Sequence, residues 1–287
     1  MAENRMPQQA GAPMLPQVTV VQTTGSTNDD VKELGRSGAA HGSAIAARSQ
    51  TAGRGRRGHA WQSPEGGLYL SILLRPEVPM HLISGLPAVC SLGILDAIHR
   101  IVGTDDAASA GVGLKWPNDV VVGRRKLVGI LVEGGYGEGG MFAVCGLGLN
   151  ILSNTQLEAS IANASDGSHA PLAPISLEEL LGSGAQVIPG FEMLATLIRD
   201  CVVERVDTWV ADVSAGRAAA GPLAPILSEY FDCVGALGRE VEALLPDGQV
   251  FARGRFAGID VWGRATIVTP DGRELDISSE QASIREI

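Results

Sequence analysis

The sequence predicts an α/β (α+β) chain in two parts, and three observations carry that prediction. Short β-branched or apolar runs alternate with helical patterns up to about Phe231. Beyond Gly238 the pattern changes to short alternating strands punctuated by Pro-Asp-Gly turns, which describes a small β-barrel or β-sandwich. The chain has 287 residues, 45% of them hydrophobic and 19% charged, enough apolar side chain to offset the entropy of ordering a full core.

The elements follow in order. Residues 1–16 are rich in Gln, Pro and Ala, lack the apolar run of a secretion signal, and read as a disordered tail. Gln17–Gln22 reads as the first strand. A helix follows, capped by Ser26 or Thr27, with Asp29 and Asp30 in its positive first turn and Gly35 or Gly38 closing it. Gly42–Arg48 is a strand, Gln50–Gly67 a loop dense in Gly and Arg, and Leu68–Arg75 a strand. Met80–Gly103 carries apolar residues at helical spacing, with Pro87 starting or bending the helix. Val112–Trp116 is a strand that runs into the turn Pro117-Asn118-Asp119. Val120–Val122 and Lys126–Glu133 form a hairpin, and Met141–Ile151 is a further strand, in which Gly146 and Gly148 mark close backbone approach or a bulge. A Ser/Ala/Gly-rich stretch over 154–190, with a short helix near Ser176–Leu181, precedes an amphipathic helix over Phe191–Val213. The parts expected are a tail (1–16), a main domain (17–234) and a small C-terminal domain (235–287).

Charge and cysteine usage narrow the function classes. With 22 Lys+Arg against 32 Asp+Glu the formal net charge is −10, which argues against general binding to DNA, other nucleic acids or anionic membranes. No run of about 18 consecutive apolar residues occurs, so no spanning helix is expected. Cys90, Cys145, Cys201 and Cys233 lie far apart and the five histidines show no paired spacing, which reads as free, mostly buried thiols in a reducing cytoplasm.

Against that acidic background, Gly53–Gly58 (GRGRRG) places Arg54, Arg56 and Arg57 on a glycine-permissive backbone. The match to the dinucleotide fingerprint is formal only, because HAWQSPEGG follows where a helix is required. A nucleotide-hydrolase phosphate loop lacks its Gly-Lys-Ser/Thr ending. A solvated loop is one reading of the three arginines. The other is a mobile anion clamp, ordered when bidentate guanidinium contacts meet a phosphate or carboxylate. Trp61 suits either the core or a flat ring. Further on, Lys115 stands at a strand end before Trp-Pro-Asn-Asp, with Lys126 in the next hairpin. These residues read as an exposed lysine, turn residues and a hairpin lysine, or as a cationic site over a sheet that Gly129 lets a ligand approach.

The segments S-T-N (26–28), Q-T-A-G-R-G-R-R-G (50–58), W-x-S-P-x-G-G-L-Y-L-S (61–71), K-W-P-N-D (115–119), K-L-x-G-I-L-V-E (126–133) and G-L-G-L-N (146–150) occur in this order. Together they resemble the bacterial biotin protein ligase family over residues 17–287. The resemblance implies a catalytic domain with a mixed sheet flanked by helices, followed by an SH3-like β-barrel. It implies biotin, ATP and Mg²⁺, a biotinyl-5′-adenylate intermediate, and transfer to a lysine of a biotin carboxyl carrier protein of acetyl-CoA carboxylase or a related carboxylase.

By the same resemblance Ser26, Thr27, Asn28 and Gln50 would hold the biotin ring system, while Arg54, Gly55 and Arg56 would order over biotin and the adenylate phosphate. Lys126 would bridge the biotin carboxylate and the α-phosphate, with Lys115 adding a second charge. Arg54 and Arg56 join the two lysines as the residues expected to serve the reaction. Arg57, Trp61, Asn118 and Asn150 would lie along the nucleotide, and Asp119 would help place Mg²⁺ or the incoming lysine. A carboxylate and a triphosphate repel, so fixed cations at their meeting point are what the chemistry needs.

Departures from the family pattern are His59, where a second basic residue is common, Ala60, and a long 154–190 stretch. The residues before the first strand are too few for the helix-turn-helix module of some relatives, so no operator binding is expected. A lipoate or octanoate ligase of the same fold, and a catalytically silent biotin-binding regulator, are the rival readings. A monomer and a homodimer both remain compatible with the sequence.

Overall fold

A computed structural model describes residues 14–154, 172–182 and 187–287. The expected tail up to residue 13 and most of the Ser/Ala/Gly-rich stretch lie outside the described residues. Chain order is β1 (Thr19–Thr24), α1 (Thr27–Arg36), β2 (Ala44–Gln50), β3 (Gly67–Leu74), α2 (Leu86–Val102), α3 (Thr104–Ala110), β4 (Val112–Lys115), β5 (Asp119–Val122), β6 (Arg125–Gly137) and β7 (Gly140–Asn150). Then follow α4 (Leu177–Leu181), α5 (Phe191–Ser214), α6 (Leu227–Cys233), β8 (Glu240–Leu244), β9 (Val250–Ile259), β10 (Ala265–Val268), β11 (Glu274–Ile277) and β12 (Ser283–Glu286).

The first seven strands form one sheet in the order β1-β2-β3-β7-β6-β5-β4. Only β1 and β2 pair in parallel, with α1 as their crossover, and the remaining pairs are antiparallel. The sheet is therefore mixed. β3 (GLYLSILL) is buried at all eight positions, so both of its faces must be covered. Leu68, Leu70, Ile72 and Leu74 join the main core with α2 and α5, whereas Leu73 joins Val31, Phe142 and Val144 beneath α1. Strand alternation thus divides β3 into an even-numbered core face and an odd-numbered face under α1.

On the core face, α2 and α5 approach closely. A Cβ at Gly93 would come 2.7 Å from Val202 Cα, so glycine is what that crossing admits. The expected single helix over Met80–Gly103 resolves into a 3₁₀ segment at Met80–Gly85 and then α2, with Pro87 in the first helical turn, where its missing N–H costs nothing. Met80–Val102 has the length and apolarity of a membrane span, yet 72% of its most apolar window is buried inside the protein, as a core helix would be.

The C-terminal strands form a separate five-stranded antiparallel sheet, β11-β10-β9-β8-β12. The Pro-Asp-Gly turns join β8 to β9 and β10 to β11, where Gly248 and Gly272 take positive φ. This sheet sits against the first one: Trp116 Nε1 donates to the Gly263 carbonyl at 3.0 Å, and Gly235 N–H to the Leu114 carbonyl at 3.2 Å.

Candidate active site

The face of the sheet beneath α1 carries a cavity of about 590 Å³. Its floor follows from strand register. Tyr69 opposes Gly148, Gly148 opposes Gly129, Gly129 opposes Asp119, and Asp119 opposes Lys115, so one row across five strands points to one face. The middle of that row has no side chains. Trp61 lies on the vacant strip, where a Cβ on Gly129 would fall 2.7 Å from Trp61 Cζ3 and one on Gly148 would overlap its Nε1.

Lys126 reaches the same face through an irregularity. Val120 pairs with Val128 but Val121 pairs with Lys126, so Leu127 is an extra residue on β6. Leu127 and Val128 are both fully buried, and the bulge restarts the alternation with Lys126 on the cavity side. Its Nζ is 2.7 Å from Asp119 Oδ1 and 4.9 Å from the centre of the Trp61 ring.

Lys115 lines the cavity and has no hydrogen-bond or ion-pair partner among the described residues. Burial pushes its ammonium below the usual lysine value; Asp119 opposes that shift, while Lys126 and Arg56 add to it. Arg56 is likewise lowered by burial and by Arg57. Three cations, Arg56, Lys115 and Lys126, thus converge on one carboxylate, Asp119, leaving a local excess of positive charge in an acidic chain. Such an arrangement favours an anion between them.

The other end of the cavity is polar and nearly neutral. Ser26 occupies the N-cap position of α1, but its hydroxyl makes no capping bond. Thr27 donates its N–H at 2.9 Å and its hydroxyl at 3.1 Å to Gln50 Oε1, and Gln50 Nε2 donates to Ser63 Oγ at 2.9 Å. Ser71 Oγ, fully buried on β3, lies 2.8 Å from Thr27 Oγ1 and 2.6 Å from Asn28 Oδ1. Asn28 Nδ2 donates to Glu133 Oε2 at 2.7 Å, and Lys32 Nζ to Glu133 Oε1 at 2.6 Å. Burial works against ionisation of Glu133, but the bonds from Lys32 and Asn28 hold its carboxyl below the usual value.

Every residue singled out from the sequence lines this one cavity: Ser26, Thr27, Asn28, Gln50, Arg54, Gly55, Arg56, Arg57, Trp61, Lys115, Asn118, Asp119, Lys126 and Asn150. Their engagements differ. Arg54 makes a two-pronged bond to Asp29, 2.6 Å on each arm, and sits 3.7 Å from Glu133. Asn118 donates to the Ile130 carbonyl and accepts from Arg56 at 3.4 Å. Asn150 Nδ2 spans the carbonyls of Lys126 and Ile175, each at 3.2 Å, so its amide ties β7 to the Lys126 backbone. Among the described residues no group of three His, Cys, Asp or Glu side chains could hold a metal ion. Asp119 is ion-paired to Lys126 and faced by further cations, so this donor set does not fit a protein-held Mg²⁺.

Ser71 and Glu133 end two of the quoted segments but are given no role there, and the contribution of the C-terminal sheet is not foreseen. Ser71 and Glu133 hold Thr27 and Asn28 from 43–44 and 105 residues away. A lone Ser inside the apolar run LYLSILL was the available signal for Ser71, because a buried hydroxyl needs a partner. Leu244, Ile284 and Arg285 bring the C-terminal sheet to the cavity wall.

Residues 20–150 match the model of the biotin/lipoate A/B protein ligase family. The chain is 30% identical over 260 residues to a biotin–[acetyl-CoA-carboxylase] ligase of Paracoccus denitrificans, covering 90% of this chain and 96% of that protein. It is 37% identical over 128 residues to the bifunctional ligase/repressor BirA of Bacillus subtilis, a match spanning 44% of this chain and only 38% of the relative. Among solved structures, the biotin protein ligase of Aquifex aeolicus in complex with biotin and ATP superposes with a TM-score of 0.70 at 25% identity, covering 94% of this chain and 99% of that one.

The fold and the site together define a ligase-type α/β domain with an appended antiparallel sheet. The chain belongs to the biotin protein ligase family.

Proposed function

We propose that this protein activates biotin with ATP and transfers it to a lysine of a biotin carboxyl carrier protein, such as that of acetyl-CoA carboxylase. The observation that carries the reading is the polarity of the cavity. One end offers the Ser26–Thr27–Asn28–Gln50 group, suited to a neutral ureido edge, and the other offers Arg56, Lys115 and Lys126 to anions. The Paracoccus relative is named for biotin ligation to acetyl-CoA carboxylase, and the Aquifex structure holds biotin and ATP, which supports the choice of substrates.

In the first step the biotin carboxylate attacks the α-phosphorus of ATP; a new C–O–P bond forms, the α–β bridge breaks, and pyrophosphate leaves. Lys126 sits where carboxylate and α-phosphate would meet, with Asp119 fixing its Nζ. Lys115, unpaired and desolvated, gains most from an arriving anion. In the second step the carrier's neutral lysine amine attacks the acyl carbon, the mixed anhydride breaks, AMP departs, and the amine proton is released. Arg54, Gly55, Arg56 and Arg57 would cover the adenylate and keep water from the anhydride. Trp61, Asn118 and Asn150 would lie along the nucleotide, Asn150 chiefly by holding the Lys126 backbone. No step is assigned to Mg²⁺. We place the catalytic unit at residues 17–234 and the barrel-like unit at 235–287, in a cytoplasmic protein.

Exchange of labelled pyrophosphate into ATP, run side by side with biotin, lipoate and octanoate, tests the reading. Biotin-dependent exchange is expected. Exchange with lipoate or octanoate alone would assign the rival ligase, and none with any of the three would leave a binding protein without the activation step.

A further inference from the structure

The hydrogens at the uncharged end of the cavity point in one direction, and Glu133 sets it. The Glu133 carboxylate, half-buried on β6, can only accept, and Lys32 Nζ occupies its Oε1 at 2.6 Å. Asn28, 2.7 Å from Oε2, must therefore present its Nδ2 hydrogens there, which turns its Oδ1 toward Ser71. The 2.6 Å separation of Ser71 Oγ and Asn28 Oδ1 needs a hydrogen between two oxygens, and only Ser71 carries one.

Thr27 comes next. Its Oγ1 lies 2.8 Å from Ser71 Oγ, whose hydrogen is spent, and 3.1 Å from Gln50 Oε1, an oxygen that only accepts. Gln50 cannot be turned round, because the Thr27 N–H donates to that same Oε1 at 2.9 Å. Whichever neighbour takes it, the Thr27 hydroxyl hydrogen stays inside the protein. Thr27 lines the cavity, so what it has left for a ligand is a lone pair. Thr27, Asn28 and Ser71 are 3%, 6% and 0% exposed, and so deeply buried a bond cannot be reversed without leaving polar groups unpaired.

We infer that Glu133 is a specificity-determining residue acting at a distance: through Asn28 and Ser71 it fixes Thr27 as a hydrogen-bond acceptor, so that the site selects a cyclic urea by its ring N–H. This deepens the proposed function and rests on it. Glu133 is a positioning residue here, acting on the ligand only through its neighbours. The adjacent Ser26 hydroxyl, which makes no capping bond, can turn to a urea carbonyl. A dithiolane ring such as that of lipoate has no N–H to give. A ring oxygen set against Thr27 would place lone pair against lone pair.

Isothermal titration tests this with biotin, desthiobiotin and the two cyclic carbamates in which one or the other ring N–H of biotin is replaced by oxygen. Wild type should prefer biotin over the worse carbamate by about a hundredfold, because a buried acceptor is left unpaired. In Glu133→Gln, Lys32 holds the new amide oxygen and turns its NH2 toward Asn28. Asn28 must then flip, Ser71 gives its hydrogen to Thr27, and the Thr27 hydrogen is released to meet a ring oxygen. The preference should fall about tenfold. Ser71→Ala cuts the chain at another point and should lower the preference in the same way. The ratio of biotin to desthiobiotin, which both keep their N–H groups, should be the same in all three proteins. Each ratio is taken within one protein, so a general loss of stability cancels from it. An unchanged biotin-to-carbamate preference in either variant, with biotin still bound, overturns the inference and leaves the functional reading standing. If the wild-type chain binds neither biotin nor desthiobiotin, the functional reading fails and the inference falls with it.

Discussion

Lys126 Nζ stands 2.7 Å from Asp119 Oδ1 above the Trp61 ring, on a strand whose bulge alone brings the lysine to the cavity face. The pair has unequal members: the ammonium is the group aimed at a reacting anion, and the carboxylate fixes where it points. Lys126→Met should therefore lower biotin-dependent ATP–pyrophosphate exchange at least about a hundredfold, as for loss of one focused transition-state donor. Asp119→Asn should cost only about tenfold, because a hydrogen-bonding partner remains. Initial rates of exchange decide it, and an equal collapse in both variants would give Asp119 a direct part in the chemistry.

Lys115 supplies a pH signature. Burial lowers its pKa below the ordinary 10.5, so its charge is lost at a lower pH than that of a solvated lysine. Affinity for biotinyl-adenylate, or a non-hydrolysable mimic, should fall as pH rises through that lowered value, and binding there should take up a proton because the anion restores the charge. Lys115→Met should bind weakly at all pH values with the alkaline fall removed. Calorimetry in buffers of different ionisation enthalpy measures the proton directly.

Glu133 acts at the acid side. Its folded-state pKa lies below the ordinary 4.5, so the stability it contributes is present above that value and drains away as pH falls through the depressed pKa. Wild type should melt higher than Glu133→Gln at pH 7, and the gap should close only below about pH 4.5. Thermal denaturation of the two proteins across the acid range checks this.

Gly146 is required by its neighbour. A Cβ there would overlap Asn28 Oδ1, which is wedged between Ser71 and the glycine. Gly146→Ala should destabilise by about 1–3 kcal/mol through forced displacement and weaken biotin binding about tenfold through loss of the Asn28 geometry. Gly134→Ala, with open space around its added methyl, serves as the matched control on the neighbouring strand. Denaturation and biotin titration report the two effects separately.

The particular elements show why some of this was legible from sequence. Strands with β-branched or apolar runs, such as Leu68–Leu74, and the helix over Phe191–Ser214 announce themselves through period and residue type. The helices Thr104–Ala110 and Leu227–Cys233 are seven residues each and too short to establish a period, and Ser283–Glu286 offers four residues with one buried apolar position. Strand β6 runs on to Gly137 because its glycines pair with β7, a tertiary fact that overrides their poor strand propensity. The first strand sits at Thr19–Thr24 rather than Gln17–Gln22 because its register against β2 extends through Thr24 and Gln50. At the site, the motif residues were legible individually. The contacts among them were not, since Ser71 and Glu133, though inside the quoted segments, meet Thr27 and Asn28 only through the register of the sheet and the packing of α1 on it.

The side-chain-free strip formed by Gly129 and Gly148 has a further consequence. Trp61 already rests on these peptide planes, so over this part of the cavity a substrate meets the flat face of an indole, which selects for thickness more than for functional groups. Recognition is thereby divided between two remote ends, one made of amides and hydroxyls and one of charges. A substrate must satisfy both at once, and so its length becomes as much a criterion of selection as its functional groups.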